Sequence, residues 1–255
     1  MSEELQTAIQ ACKKAGKVLL EHFTQELVFT DKGNHDLVSE ADLASEKAIL
    51  SVIQEKFPED AFFTEKSSFI GKSENVWVID PLDGTANFSL ELPQFAISIA
   101  LVKNGKPILG VVYHPFLDKM VYAEEGQGAF LNHQKLFLSS NNNKTIALNV
   151  GYPSQHLDLE IFSKLRNQVK RILTHWSPAF DFVLLATGKI ESIISMESEV
   201  HDQIAGLVIA KELGLIIKRV DGEEFSFQGL PKYYPSLVIS QNEEQCNWLI
   251  EKIKE

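Results

Sequence analysis

The sequence predicts an α+β protein of two packed halves, each a sheet covered by helices. Three observations carry this expectation. Apolar residues recur at spacings of three and four near both ends of the chain, the period of amphipathic helices. Between these segments lie apolar runs of strand length, two of them flanking Asn104-Gly105, a dipeptide that favours a tight hairpin. The most polar uninterrupted stretch, S-S-N-N-N-K-T at 139–145, divides an N-terminal half, residues 1–140, from a C-terminal half, residues 141–255.

Taken in order, Leu5, Ala8, Ile9, Cys12, Ala15, Leu19, Leu20 and Phe23 form a stripe that predicts a helix over 3–26. Leu43, Ile49, Leu50 and Ile53 repeat the spacing from Asp42 to Phe57, and Pro58 ends that helix. A short apolar strand precedes Glu65 in F-F-T-E-K-S, and V-W-V-I at 76–79 reads as a strand buried on both faces. Residues 95–115 make two strands around Asn104-Gly105, K-M-V-Y-A-E-E continues the meander, and 126–136 close it with another turn. Helical patterns at 156–168, 178–188, 202–213 and 243–254 then alternate with the β-rich runs I-E-S-I-I-S and S-L-V-I-S.

Composition narrows the functions open to such a fold. Lysine and arginine number 24 against 35 acids, so the net charge of 24 − 35 = −11 argues against a nucleic-acid polymer as partner. Cys12 and Cys246 stand far apart, with no Cys-x-x-Cys spacing for a metal or redox site. The N-terminus, M-S-E-E-L-Q-T, is acidic and lacks an apolar core, and no run reaches the ~18 apolar residues of a membrane span. A cytoplasmic protein with no membrane partner is expected.

Chemistry concentrates at D-P-L-D-G-T, residues 80–85. Asp, Pro and Gly are turn residues, and a plain turn with Asp83 as a cap is one reading. The position favours another. The apolar run stops at Asp80, at the end of a buried strand, and two carboxylates close together repel unless a cation lies between them. Hard ions such as Mg²⁺ take oxygen ligands, and the chain has no H-E-x-x-H and no His cluster to suit a softer metal. Glu65 follows a short strand, Asp202 opens a helix and Asp42 opens another, so further acids stand at comparable boundaries.

W-V-I-D-P-L-D-G-T-A-N-F at 77–88 resembles the first motif of the inositol monophosphatase family, within the lithium-sensitive, magnesium-dependent phosphatase superfamily. The resemblance extends through D-L-V-S-E-A-D at 36–42, T-E-K-S at 64–67, G-A-F-L-N at 128–132, L-A-T-G-K at 185–189 and H-D-Q-I-A-G-L-V-I-A-K-E-L-G at 201–214. It implies a layered αβαβα sandwich, a homodimer, and two or three Mg²⁺ ions held by Glu65, Asp80, the Leu82 carbonyl, Asp83 and Asp202. Thr85 and Asp42, with Glu65, would be the catalytic residues, Thr85 and Asp42 orienting the attacking water. Gly84 and Thr85 amides would hold the phosphate, with Asp83, Ser177, Ser195 and Asp202 lining the substrate site. The implied activity is hydrolysis of inositol monophosphate or a similar small polyol phosphate. Alternatives are a 3′-phosphonucleotide, fructose bisphosphate or histidinol phosphate, or a weakened phosphate-binding member without catalysis.

This chain departs from the family pattern at five places. Lys66 follows Glu65 where a second Glu is usual, His201 replaces Trp, and Gln203 follows Asp202. Trp176-Ser177-Pro178 stands for the Gly-Ser/Thr-Ala loop, and Ser195 aligns with an acid that contacts inositol hydroxyls, although Glu197 and Glu199 lie near enough for a shifted alignment to restore one. A lone His at 201 reads as a packed or capping residue, since oxygen ligands are already assigned.

Overall fold

The computed structural model describes residues 1–23, 29–31, 37–65, 68–138, 144–150 and 156–255. Five layers are stacked. Helices α1 (Glu3–His22) and α2 (Glu40–Lys56) form the first. The second is an eight-stranded sheet of β3 (Ala61–Thr64), β4 (Ser68–Ile70), β5 (Asn75–Asp83), β6 (Ala96–Lys103), β7 (Lys106–His114), β8 (Lys119–Glu124), β9 (Gly128–Leu131) and β10 (Gln134–Lys135). Its order is β10-β9-β8-β7-β6-β5-β3-β4. A two-stranded pair, β1 (Phe29–Asp31) with β2 (Leu37–Ser39), and the short helix α3 (Thr85–Ser89) lie beside it.

Helices α5 (Pro178–Ala186) and α6 (Val200–Glu212) make the central layer. The fourth layer is a five-stranded sheet of β11 (Thr145–Val150), β12 (Arg171–Leu173), β13 (Ser192–Met196), β14 (Ile216–Arg219) and β15 (Leu237–Ser240), ordered β12-β11-β13-β15-β14. Helices α4 (His156–Leu165) and α7 (Glu243–Lys254) close the stack. Three cores fill the gaps: α1 and α2 against the large sheet, α5 and α6 between the sheets, α7 and α4 against the small sheet. The α+β sandwich expected from the sequence is therefore the observed architecture. No helix among the described residues is long and apolar enough to cross a membrane.

Local chemistry accounts for the element ends. Ser2 accepts from the Leu5 amide and Asn242 from the Gln245 amide, capping α1 and α7. Asn104 and Gly105 both have positive φ, at 51° and 74°, as a tight hairpin requires. Several boundaries differ from expectation. The helix from Asp42 begins two residues earlier, at Glu40, and the pattern at 156–168 gives a helix ending at Leu165. Residues 24–28 and 139–143 lie outside the described residues. Most telling is β5, which does not stop at Asp80 but continues through Pro81 to Asp83. Its register against β6 shifts between Asp80 and Asp83, and that bulge accommodates a proline with no N–H to donate.

Helix α6 is buried around nearly its whole circumference because both sheets enclose it. Glycines allow the approach. A Cβ on Gly206 would meet the Phe182 ring at 2.1 Å, and one on Gly110 of β7 would meet the Ala205 carbonyl at 2.4 Å. Phe182 is itself buried, so the contact cannot open outward. Gly206→Ala should destabilise the protein by about 1–3 kcal/mol through overpacking, read as a lower urea midpoint. A variant as stable as the parent would show that α5 yields at this contact.

Candidate active site

Strands β3 and β5 are parallel, with Thr64 opposite Ile79, so the next residues, Glu65 and Asp80, fall side by side. The Glu65 amide donates to the Ile79 carbonyl at 3.2 Å, extending the ladder to the acid itself. Past the bulge Asp83 pairs with Ala96, and Gly84 turns the chain with φ 91° and ψ 38°. A Cβ there would lie 2.8 Å from the Gln94 carbonyl and 3.1 Å from Ser177 Cβ, so both conformation and space require glycine.

Asp42 is fully buried in the first turn of α2. Thr85 Oγ1 lies 3.1 Å from Asp42 Oδ1 and 3.1 Å from the Leu82 carbonyl, and its proton serves either acceptor. Ser45, one turn on, donates to the Pro81 carbonyl at 2.7 Å and fastens α2 to β5. The fold thus brings together two residues separated by 43 positions in sequence.

Asp83 is 4% exposed, not the exposed turn that its neighbours in sequence suggest. Its Oδ2 accepts from Ser177 Oγ at 2.5 Å, the Ala179 amide at 2.8 Å and the Phe180 amide at 3.3 Å. One carboxylate oxygen therefore satisfies the otherwise orphaned amides at the start of α5, a cap supplied from a distant segment. Ser177, expected in the substrate site, is buried and spends its hydroxyl on Asp83. Asn87, which no sequence signal singles out, donates to the Gln94 carbonyl at 2.7 Å and the His175 carbonyl at 2.5 Å and ties this loop to α3. Beside it, His175 Nδ1 lies 2.5 Å from Asp181 Oδ1, a buried acid that sequence reasoning also missed.

Asp202 enters from the first turn of α6. Among the described residues two groups of potential donors result, Glu65 with Asp80 and His201, and Asp80 with Asp83 and Asp202; in each group one ligand atom per residue lies within 4.8 Å of the others. Asp80 is common to both. His201 Nε2 also lies 3.2 Å from both Glu199 Oε2 and Asp202 Oδ1. Burial pushes the Asp83 carboxyl up to about 7, and the charge of Asp181 adds to this while Ser177 and the two amides oppose it. Asp202 is raised well above the usual carboxylate range, first by burial and then by the charges of Asp83, Glu65 and Glu199.

Such a donor set fits a hard divalent cation. Its carboxylate oxygens are those that Mg²⁺ takes, and acids raised first by burial and then by neighbouring charge are ones that a cation would hold ionised. Glu65, Asp80, Asp83 and Asp202 are all brought together here, and the Leu82 carbonyl stands between them in sequence while accepting from Thr85. Ser195 is placed otherwise. It is 1% exposed, lies 3.0 Å from Ser198 Oγ and accepts from Gln203, so its hydroxyl is engaged within the protein. Lys66 lies outside the described residues.

A sequence profile of the inositol monophosphatase family matches residues 1–255. The fructose-1,6-bisphosphatase/inositol-1-monophosphatase of Thermotoga maritima is 32% identical over 225 residues, 87% of each chain. The Nus factor SuhB of Pasteurella multocida is 32% identical over 232 residues, again 87% of each. Among solved structures, the extragenic suppressor protein suhB of Bartonella henselae superposes with a TM-score of 0.91 at 29% identity, covering 100% of this chain and 99% of that one.

The raised Asp83 carboxyl has a consequence for stability. Its folded value, about 7, exceeds the 3.8 of an unperturbed Asp, so the folded state binds more protons than the unfolded between those values. Its contribution to stability therefore falls as pH rises from about 4 to about 7. In metal-free protein, Asp83→Asn should flatten this decline while its amide oxygen keeps the three donors. Melting temperatures across pH in a chelator test it, and parallel profiles for the two proteins would remove Asp83 as the source.

Proposed function

The chain belongs to the inositol monophosphatase family, and on that premise we propose that it is a Mg²⁺-dependent phosphomonoesterase acting on inositol monophosphate or a similar small polyol phosphate. The observation that carries the reading is the Thr85–Asp42 hydrogen bond beside two overlapping groups of potential metal donors, one all-carboxylate and one with two carboxylates and His201. A carboxylate cluster alone binds cations; a hydroxyl relayed to a buried acid at its edge adds a route for a proton.

Glu65, Asp80, Asp83, Asp202 and the Leu82 carbonyl would hold the ions. Bound Mg²⁺ would offset the charge of a phosphate dianion and supply Lewis acidity. Thr85 Oγ1 accepts the proton of the attacking water as its own passes to Asp42 Oδ1, 3.1 Å away. Amides of Gly84 and Thr85, at the glycine-dependent turn, orient the phosphate. Asp83, fixed by three donors from the start of α5, keeps the second group of ligands from spreading.

The name of the Thermotoga maritima relative supports including fructose 1,6-bisphosphate among the substrates tested. So does Ser195, which offers no charge for sugar hydroxyls and is already hydrogen-bonded to Gln203. Release of inorganic phosphate from inositol 1-phosphate, fructose 1,6-bisphosphate, a 3′-phosphonucleotide and histidinol phosphate, with and without Mg²⁺, is the direct experiment. Mg²⁺-dependent turnover of inositol 1-phosphate is expected; no turnover of any member would sink the reading.

Asp42→Asn and Thr85→Ala should each lower kcat by roughly 10²–10⁴. The double variant should be little worse than the poorer single one, because two members of one relay are not additive. Losses that multiply would mean that Asp42 and Thr85 act separately.

A further inference from the structure

We propose that His201 supplies a nitrogen donor to the Glu65–Asp80 half of the metal centre, so that this half takes a first-row transition divalent ion in preference to Mg²⁺. The inference rests on the reading of the carboxylate cluster as a metal centre and concerns which ion it selects.

His201 is 6% exposed and held from several sides. Its carbonyl accepts from Ser98 Oγ at 3.0 Å, which fastens the first turn of α6 to β6. Its ring meets Phe63 of β3 edge-on, with centroids 6.3 Å apart at 67°. The imidazole thus sits against the strand that carries Glu65 at its end, and a ring nitrogen falls within 4.8 Å of ligand oxygens from Glu65 and Asp80. Nε2 is at the same time 3.2 Å from Glu199 Oε2 and 3.2 Å from Asp202 Oδ1.

So many electron-rich atoms around one nitrogen need a positive charge among them. A proton on Nε2 would satisfy Glu199 and Asp202. It would leave unexplained why the ring also converges with Glu65 and Asp80, the two acids that parallel pairing sets side by side. A cation held jointly by Glu65, Asp80 and the imidazole accounts for both. His201 and Asp202 meet at 3.2 Å yet fall in different groups, His201 with Glu65 and Asp80, Asp202 with Asp80 and Asp83. Where the resemblance places Trp, an indole N–H could only donate; His offers a lone pair.

Ligand chemistry then sets the preference. Carboxylates suit Mg²⁺ and Mn²⁺ alike, whereas an imidazole nitrogen suits Fe²⁺, Ni²⁺, Cu²⁺ and Zn²⁺. Asp80, common to both groups, would join a nitrogen-containing half to an all-oxygen half.

Mn²⁺ is the probe for the test, because its electron spin reports bound nitrogen directly. Pulsed EPR of Mn²⁺ on the unaltered protein should show ¹⁴N coupling, and His201→Gln should abolish it. Titration of Ni²⁺ against Mg²⁺ should give an affinity ratio at least about tenfold lower in His201→Gln, the effect expected on loss of a group that supports a metal. Bound Mn²⁺ with no ¹⁴N coupling in the unaltered protein, or an unchanged ratio in a variant with an intact circular dichroism spectrum, would overturn the inference while leaving the metal centre standing. No Mn²⁺ or Mg²⁺ binding at all would overturn both. The coupling is read without substitution, so a variant that fails to fold does not remove the test.

Discussion

The end of β5 and the start of α5 are joined by one buried carboxylate. Asp83 Oδ2 accepts from a hydroxyl and two amides of the α5 segment, and through α5 the large sheet is registered against the central layer. Hydrogen bonds to charged groups are worth about 1.5–3 kcal/mol each, but taking a carboxylate out of water costs several. Burial is the larger effect and Asp181 adds like charge, so the balance lies with the protonated acid up to about pH 7. A positive charge beside Asp83 would reverse that balance, so on the proposed reading the same residue would hold the layers together and complete a cation site.

Packing elsewhere fixes how closely the acids approach. Parallel pairing of β3 and β5 sets Glu65 beside Asp80 without any side-chain contact having to arrange it. Helix α6 reaches the cluster at the right depth because Gly110 and Gly206 let it sit against β7 and Phe182. Asp202 and His201 inherit their positions from that fit. On the opposite side Ser45 fastens α2 to the Pro81 carbonyl, and Asp42 comes within reach of Thr85 as a result. Each acid thus arrives on a rigid element, as suits groups that repel one another.

Much of this was legible in D-P-L-D-G-T, because an apolar strand running into two acids is costly without a purpose. Its backbone was not legible. Asp, Pro and Gly together read as a turn, yet β5 continues to Asp83 through a bulge, since pairing with β6 resumes at Ala96. Ser177 and Ser195 show a related limit. Both are small polar residues at positions that suggest ligand contact, and both have hydroxyls engaged by internal partners, Ser177 donating to Asp83 and Ser195 accepting from Gln203. Hydroxyl direction depends on neighbours far along the chain. His201 read as a packed residue for the same reason: the acids around it, Glu65 and Asp80, lie more than a hundred positions away.

What the sequence by itself determined is the set of elements and the identity of the acids. Helical stripes, apolar runs and the Asn104-Gly105 turn are local signals, governed by backbone period and turn geometry that act within a few residues. Which acids share a space was decided only by tertiary structure. The Asp42–Thr85 bond, the cap that Asp83 provides to α5 and the approach of His201 to Glu65 each join segments whose separation in sequence carries no record of their distance. Those distances are set by sheet register and by helix packing, and electrostatic energy between charges depends on distance alone and on the medium between them.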